Sequence, residues 1–158
     1  EAIYYVKKIY SVNLNCIIIG SPYVDYDHQY LSFIKKLISF YDLKNIRLEG
    51  FIKNSQLRKY YVKSKIFLSA CPGGLGKSGI EAISSGCIPI TTEENMSVYN
   101  KKFNSLLNCK NDSLVLARKI NEILGLKSQN SSMIKKYLES LSSNFTYDKF
   151  NKNLLKLI

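Results

Sequence analysis

The residues with the most chemical content lie between Ser69 and Ile90. An apolar run ending at Ser69 leads into Cys71-Pro72-Gly73-Gly74-Leu75-Gly76-Lys77-Ser78, then Gly79-Ile80-Glu81-Ala82. The stretch closes with Ser85-Gly86-Cys87-Ile88-Pro89-Ile90. This order predicts a buried strand, a glycine-rich turn, a short helix and a second buried strand. A glycine turn that opens a helix presents unpaired backbone amides and the positive end of the helix dipole, which together suit an anionic phosphate. Glu81 follows about one turn later, where a carboxylate can accept hydrogen bonds from a ribose diol.

The same residues imitate a triphosphate-binding P-loop, which requires glycine, four residues, then Gly-Lys-Ser/Thr. Gly76-Lys77-Ser78 supplies the end of that pattern, but Cys71 stands at the position of the first glycine. A strand ending in aspartate should follow to help hold magnesium. The runs Cys87 to Thr91 and Ser105 to Cys109 end in neither an aspartate nor a carboxylate pair, and Glu93-Glu94 falls in the next loop. A phosphate cradle fits the residues better than an NTPase loop.

Other chemistry is sparse. The cysteines at 16, 71, 87 and 109 show no Cys-x-x-Cys spacing; Cys16, Cys87 and Cys109 fall in or at the end of apolar runs and read as reduced core thiols. His28, the sole histidine, follows Asp25-Tyr26-Asp27 near a helix start and reads as a surface or capping residue. No metal site is expected.

The elements that must position the glycine turn alternate between helix and strand. Helical periodicity to about Ser11 puts Ile3, Val6 and Ile9-Tyr10 on one face. Leu14 to Gly20 reads as a strand buried on both faces, and residues from 27 to 41 as a helix facing inward through Tyr30-Leu31, Ile34, Leu37-Ile38 and Tyr41. Ile46 to Gly50 is a strand, Ser55 to Lys63 a short helix, and Lys65 to Ser69 the strand feeding the turn. After the strand Cys87 to Thr91, a weak strand is expected near Ser105 to Asn108. Asp112 or Ser113 then caps a helix with Leu116-Ala117, Ile120 and Ile123-Leu124 inward. Helices around 131–140 and 146–158 follow. The alternation implies right-handed βαβ units, an open parallel sheet, and a ligand beyond the carboxyl ends of the strands.

The chain has 158 residues, 46% apolar and 12% aromatic, which is globular in class and fits one domain. No run is long enough to span a membrane. It begins Glu1-Ala2-Ile3 within a helical pattern and reads as a piece of a longer chain. With 23 basic against 12 acidic residues the net charge is +11. A solvated lysine-rich surface accounts for this, with an anionic membrane or an anionic nucleotide substrate as partners consistent with it. No RNA-binding aromatic motif or zinc finger points to nucleic acid.

In that order, nearly the whole chain resembles the C-terminal, donor-binding half of a group 1 glycosyltransferase of GT-B fold. Leu48-Glu49-Gly50-Phe51-Ile52 is similar to the family's strand-Gly-aromatic-apolar segment, and Gln56 to Tyr61 to its next helix. Gly74-Leu75-Gly76, with Ile80-Glu81-Ala82 through Gly86-Cys87-Ile88-Pro89-Ile90, resembles its glycine turn, Glu-Ala helix and apolar-Pro-apolar strand. Asn111 to Leu124 resembles its late helix.

The resemblance implies a Rossmann-like three-layer α/β/α domain with an open parallel sheet, residues 1–158 forming one half of a two-domain chain. It implies retaining transfer of a hexosyl-type sugar from a UDP- or GDP-type donor to a glycan or lipid-linked acceptor, as in polysaccharide biosynthesis. The setting would be the cytoplasm or the inner face of the membrane, with no cofactor beyond the nucleotide sugar. The donor-binding set would be Phe51, Ile52, Gly73, Gly74, Leu75, Gly76, Lys77, Ser78 and Glu81. Amides near Leu75, Gly76 and Lys77 would hold the pyrophosphate, Glu81 the ribose, and the main chain at Phe51 and Ile52 the base.

No nucleophile or base suggests itself, so no catalytic residue is assigned. The chain departs from the family at Gly73, eight positions before Glu81, where a donor-sugar glutamate is usual. That departure implies a donor sugar held by other groups, or a degenerate subunit that binds without transferring. A nucleotide-sugar epimerase on the same architecture is a third reading.

Overall fold

The computed structural model describes residues 1–21, 25–70, 75–92 and 99–143, with the backbone alone for 25–27; His28 is exposed, as expected of a surface residue. Helices and parallel strands alternate: α1 (Ala2–Tyr10), β1 (Cys16–Ile19), α2 (Asp25–Phe40), β2 (Ile46–Gly50), α3 (Asn54–Lys63), β3 (Ile66–Ser69), α4 (Gly76–Ser84), β4 (Ile88–Thr91), α5 (Lys101–Leu107), α6 (Ser113–Leu124) and α7 (Ser128–Ser142). This is a Rossmann-like α/β arrangement. Among the described residues the strands pair as two parallel ribbons, β1 with β2 and β3 with β4.

The register of β3 on β4 runs from Ile66↔Ile88 to Ser69↔Thr91. Proline is unusual inside a parallel pair because it cannot donate to the ladder. Pro89 is tolerated because the amide of Ile88 donates to Lys65 at 2.9 Å, so alternate residues Pro89 and Thr91 face the opposite edge. On that edge Thr91 makes the one further bridge, to Asn108, and the Cys109 amide donates to the Thr91 carbonyl at 3.0 Å.

The core gathers around β4, whose four residues are all buried. Ile88 and Ile90 pack with Val6 of α1, Ile83 of α4, Phe103 and Leu107 of α5, Leu116 and Ile120 of α6, and Ile134 and Leu138 of α7. The Asp112 side chain caps α6, accepting from the amides of Leu114 at 2.9 Å and Val115 at 3.0 Å.

Several expectations change. The strands expected to be buried at β1 and β3 are only half-buried, with Ile18 38% and Leu68 40% exposed, because the helices α5, α6 and α7 pack on β4. Ser105 to Leu107 belong to helix α5, not to a strand; the Asn100 side chain caps that helix by accepting from Phe103 N at 3.1 Å, and only Asn108 bridges to β4. A short apolar run does not distinguish strand from helix by itself. On α1, Val6 is buried as expected, but Ile9 is 53% exposed. On α2 no described residue is buried, and Tyr30 faces outward. The helix expected around 131–140 is longer, Ser128–Ser142, and the one expected at 146–158 lies outside the described residues.

Candidate functional site

The candidate site sits where β3 hands over to α4. Leu75 occupies the N-cap with no side-chain capping bond, and no acidic residue lies in the first turn. The amides of Gly76, Lys77 and Ser78 precede the first intrahelical acceptor, so helix geometry gives them no partner within α4. The first helical bond runs from Gly79 N to Leu75 O at 3.2 Å. All three residues are exposed, whereas Leu75 is buried as the anchor of the turn.

Two glycines shape this entry. Gly76 has φ +58, a left-handed conformation that a β-carbon penalises. A β-carbon at buried Gly79 would overlap the Leu75 side chain. Leu75 reaches the core because position 79 carries no side chain. Gly73 and Gly74, like Cys71, lie outside the described residues.

Glu81 lies on the same helical face as Lys77, four residues on. The Lys77 Nζ is 3.9 Å from Glu81 Oε1, with the lysine side chain 81% exposed and the glutamate 38%. A pair this long and this wet costs little to separate, so both groups remain available to a ligand. Beside Glu81 stands Tyr61 of α3, a buried residue; its phenol is pushed up by burial first, then by the Glu81 carboxylate and Cys87. The Cys87 thiol donates to the Tyr61 carbonyl at 3.1 Å, which ties α3 to the start of β4.

Phe51 and Ile52 follow the carboxyl end of β2, as α4 follows that of β3. Gly50, at φ +67, turns the chain there, and Phe51 is 65% exposed while Ile52 is half-buried. An adjacent polar link fixes this turn: the Tyr60 hydroxyl donates to Glu49 at 3.3 Å, and Arg47 lies 3.4 Å from the same carboxylate. Burial and then Glu49 raise the Tyr60 phenol. The structure therefore brings Leu75, Gly76, Lys77, Ser78 and Glu81 together on one helix start. Phe51 and Ile52 lie at the end of the preceding strand in the chain, β2, which pairs with β1 and not with β3 among the described residues.

Tyr61 and the Glu49–Tyr60 link were not picked out in the sequence. The pair at 49 and 60 is joined through a turn, and Tyr61 meets Glu81 across twenty residues of chain. Neither has a spacing signal.

Cys87 is buried, and its thiol is pushed up to about 11, chiefly by desolvation. Cys16 and Cys109 are raised in the same direction, also chiefly by burial. All three are free thiols. No helix among the described residues is long and apolar enough to cross a membrane.

The fold is similar to the crystal structure of the Anabaena protein Alr3699/HepE in complex with UDP and glucose, with a TM-score of 0.79 at 15% sequence identity. The match covers 98% of this chain and 43% of that one, so the chain spans less than half the length of that relative. No curated protein sequence matches. Residues 1–139, which hold every described strand and the whole of α4, match the family described as glycosyl transferases group 1, and the chain belongs to that family.

Proposed function

We propose that this domain binds the nucleotide-sugar donor, of UDP or GDP type, for retaining transfer of a hexosyl-type sugar to a glycan or lipid-linked acceptor. The observation that carries the reading is the start of α4: uncapped, glycine-turned and exposed, with Glu81 one turn further along. Phosphate oxygens accept from the free amides of Gly76, Lys77 and Ser78 and lie at the positive end of the helix. Lys77 leaves its loose pair with Glu81 to neutralise the pyrophosphate, and Glu81 turns to the ribose hydroxyls as a charge-assisted acceptor. Gly73 and Gly74, outside the described residues, belong to the same proposed donor-binding set, and the main chain at Phe51 and Ile52 is assigned to the base.

Catalysis in such a site rests on positioning and on stabilising the leaving diphosphate, not on a nucleophile from this half. The acceptor site belongs to a further domain, in line with the length of the Anabaena relative. No cofactor beyond the donor enters the reading. Three free thiols suit a reducing compartment, so the cytoplasm or the inner face of a membrane is the proposed setting.

A second reading, a degenerate subunit that binds nucleotide sugars without transferring them, is favoured by Gly73 in place of the usual glutamate. Binding is tested by thermal protection: UDP or GDP should raise the melting temperature, and Glu81→Ala should weaken that binding by about 1–3 kcal/mol. Absence of protection by every nucleoside diphosphate overturns the donor reading. Hydrolysis or transfer by the full-length protein from a panel of nucleotide sugars separates transferase from degenerate binder.

A further inference from the structure

A feature unrelated to the nucleotide site lies along α2 and the outer side of α1. Phe33 is 53% exposed, Phe40 79% and Tyr30 57%. Phe33, Lys36 and Phe40 are spaced three and four residues apart, which confines them to about 60° of the helix circumference. The rings of Tyr30 and Phe33 lie 6.4 Å apart. At the end of α2 the aromatic strip continues onto α1: Phe40 meets Tyr41 at 5.0 Å, Tyr41 meets Tyr4 at 4.5 Å, and Lys8 Nζ sits 5.5 Å over the Tyr4 ring.

Cations border this strip throughout. Lys7 and Lys8 fill the last turn of α1, Lys36 lies between the two phenylalanines, and Lys44 follows the end of α2. Among the acidic residues with described side chains here, Asp42 and Glu1 are engaged; Asp25 and Asp27 begin α2, and their side chains lie outside the described residues. Asp42 lies 3.6 Å from Lys44, and Glu1 accepts from Tyr41 at 3.4 Å and Ser113 at 3.0 Å.

We propose that this aromatic and lysine-lined face is where the domain rests on an anionic lipid bilayer. It gives a place to the membrane contact contained in the functional reading above, and depends on that reading only for its purpose. The composition selects this partner. Protein interfaces enrich aromatics and arginine and deplete lysine, and arginine is also preferred for nucleic-acid recognition. All the arginines, at 47, 58 and 118, lie off α1 and α2. Phenylalanine and tyrosine among lysines on an amphipathic helix are what the headgroup boundary takes up, with the lysines attracted to lipid phosphates. Since no described helix is long and apolar enough to span a bilayer, such a contact lies in the interface plane.

Vesicle co-sedimentation tests this. The protein should sediment with phosphatidylcholine vesicles containing phosphatidylglycerol, should not with phosphatidylcholine alone, and should be released by salt. Phe33→Ser with Phe40→Ser should weaken partitioning about tenfold without changing charge. Lys8→Glu with Lys36→Glu should weaken it as much, and Leu114→Ser, an exposed apolar residue on α6, should leave it unchanged. The chain has no tryptophan, so Phe40→Trp provides a single probe whose emission should shift to the blue on anionic vesicles. Nucleoside-diphosphate protection should persist in every variant, which separates failure here from failure of the donor reading. No sedimentation with anionic vesicles, equal binding to neutral ones, insensitivity to both double variants, or a patch that retains duplex DNA instead would each overturn the proposal.

Discussion

The chain contains two strand-helix-strand units that look alike in sequence and differ in what surrounds them. In β3–α4–β4 the second strand is wholly buried, and Gly79, Ala82 and Ile83 of the helix are buried with it. In β1–α2–β2 every described residue of both strands and the helix is half-buried or exposed. Both have parallel pairing and positive-φ glycines at or near the strand–helix junctions. The difference is in the company each keeps. β4 has α4, α5, α6 and α7 packed on it, while α2 has an apolar side only partly used and an aromatic flank left outward. A unit anchored on a wholly buried strand can hold a strained turn and an uncapped helix start in fixed geometry. An open unit is better suited to presenting a surface.

The largest effect that would break this contrast is a core truncation. Ile90, fully buried in β4, should cost about 2–5 kcal/mol when cut to alanine. Ile18, 38% exposed in β1, should cost well under half of that for the same change. Urea unfolding of Ile90→Ala and Ile18→Ala measures both. Equal losses would mean that the two units are equally enclosed.

Alkaline pH gives the next largest effect. The folded state holds the Cys87 proton to about pH 11, while the unfolded thiol loses it near the ordinary 9.0. The stabilisation is therefore complete below about pH 9 and is lost as pH rises towards 11, by about 2–3 kcal/mol. Buried Tyr61 and Tyr99 are also raised chiefly by burial and add a loss of the same sign above about pH 10. Cys87→Ala should flatten the fall of stability between pH 9 and 11, while Cys16→Ala in the open unit should flatten it less. Urea midpoints across that range provide the test.

Much of the enclosed unit was legible because its signals are local. Gly76 marked the helix start, Asp112 announced the start of α6, and the run from Cys87 to Thr91 matched a buried strand, whereas the apolar runs at β1 and β3 also read as buried strands and are only partly covered. The family assignment also came from ordered local motifs. What escaped depends on tertiary placement. Asn100 is a capping residue, yet Ser105 to Leu107 alone favoured neither helix nor strand. The apolar face expected on α2 exists, but periodicity does not tell which flank will be covered, so exposed Tyr30 was assigned inward. Tyr61 beside Glu81 needs α3 packed on α4, a contact written nowhere in the spacing.

Gly76 tests whether the turn is held by its surroundings or by its own backbone freedom. Its φ of +58 should make Gly76→Ala cost about 1–2 kcal/mol. Nothing lies within 4 Å of the added methyl, so the penalty is backbone strain and not a clash. Gly50, with φ +67 and equally open space, should cost a similar amount in the open unit. Stability alone would then not separate the units, but UDP protection should: Gly76→Ala tilts the amides that face the phosphates, whereas Gly50→Ala acts only through the segment at Phe51.

The smallest expected effect is the most selective. Lys77 is exposed and only loosely paired with Glu81, so Lys77→Met should change stability by less than about 0.5 kcal/mol. If the lysine belongs to the pyrophosphate cradle, the same substitution should weaken UDP protection several-fold and reduce its salt dependence, because a charge over a diphosphate is lost. If it is only a solvated first-turn lysine, both quantities stay at their wild-type values. Arginine at this position should restore binding in the first case, since charge is the property being tested. Ligand affinity falling while the unfolding midpoint stands still would locate the role of Lys77 in the site and not in the fold.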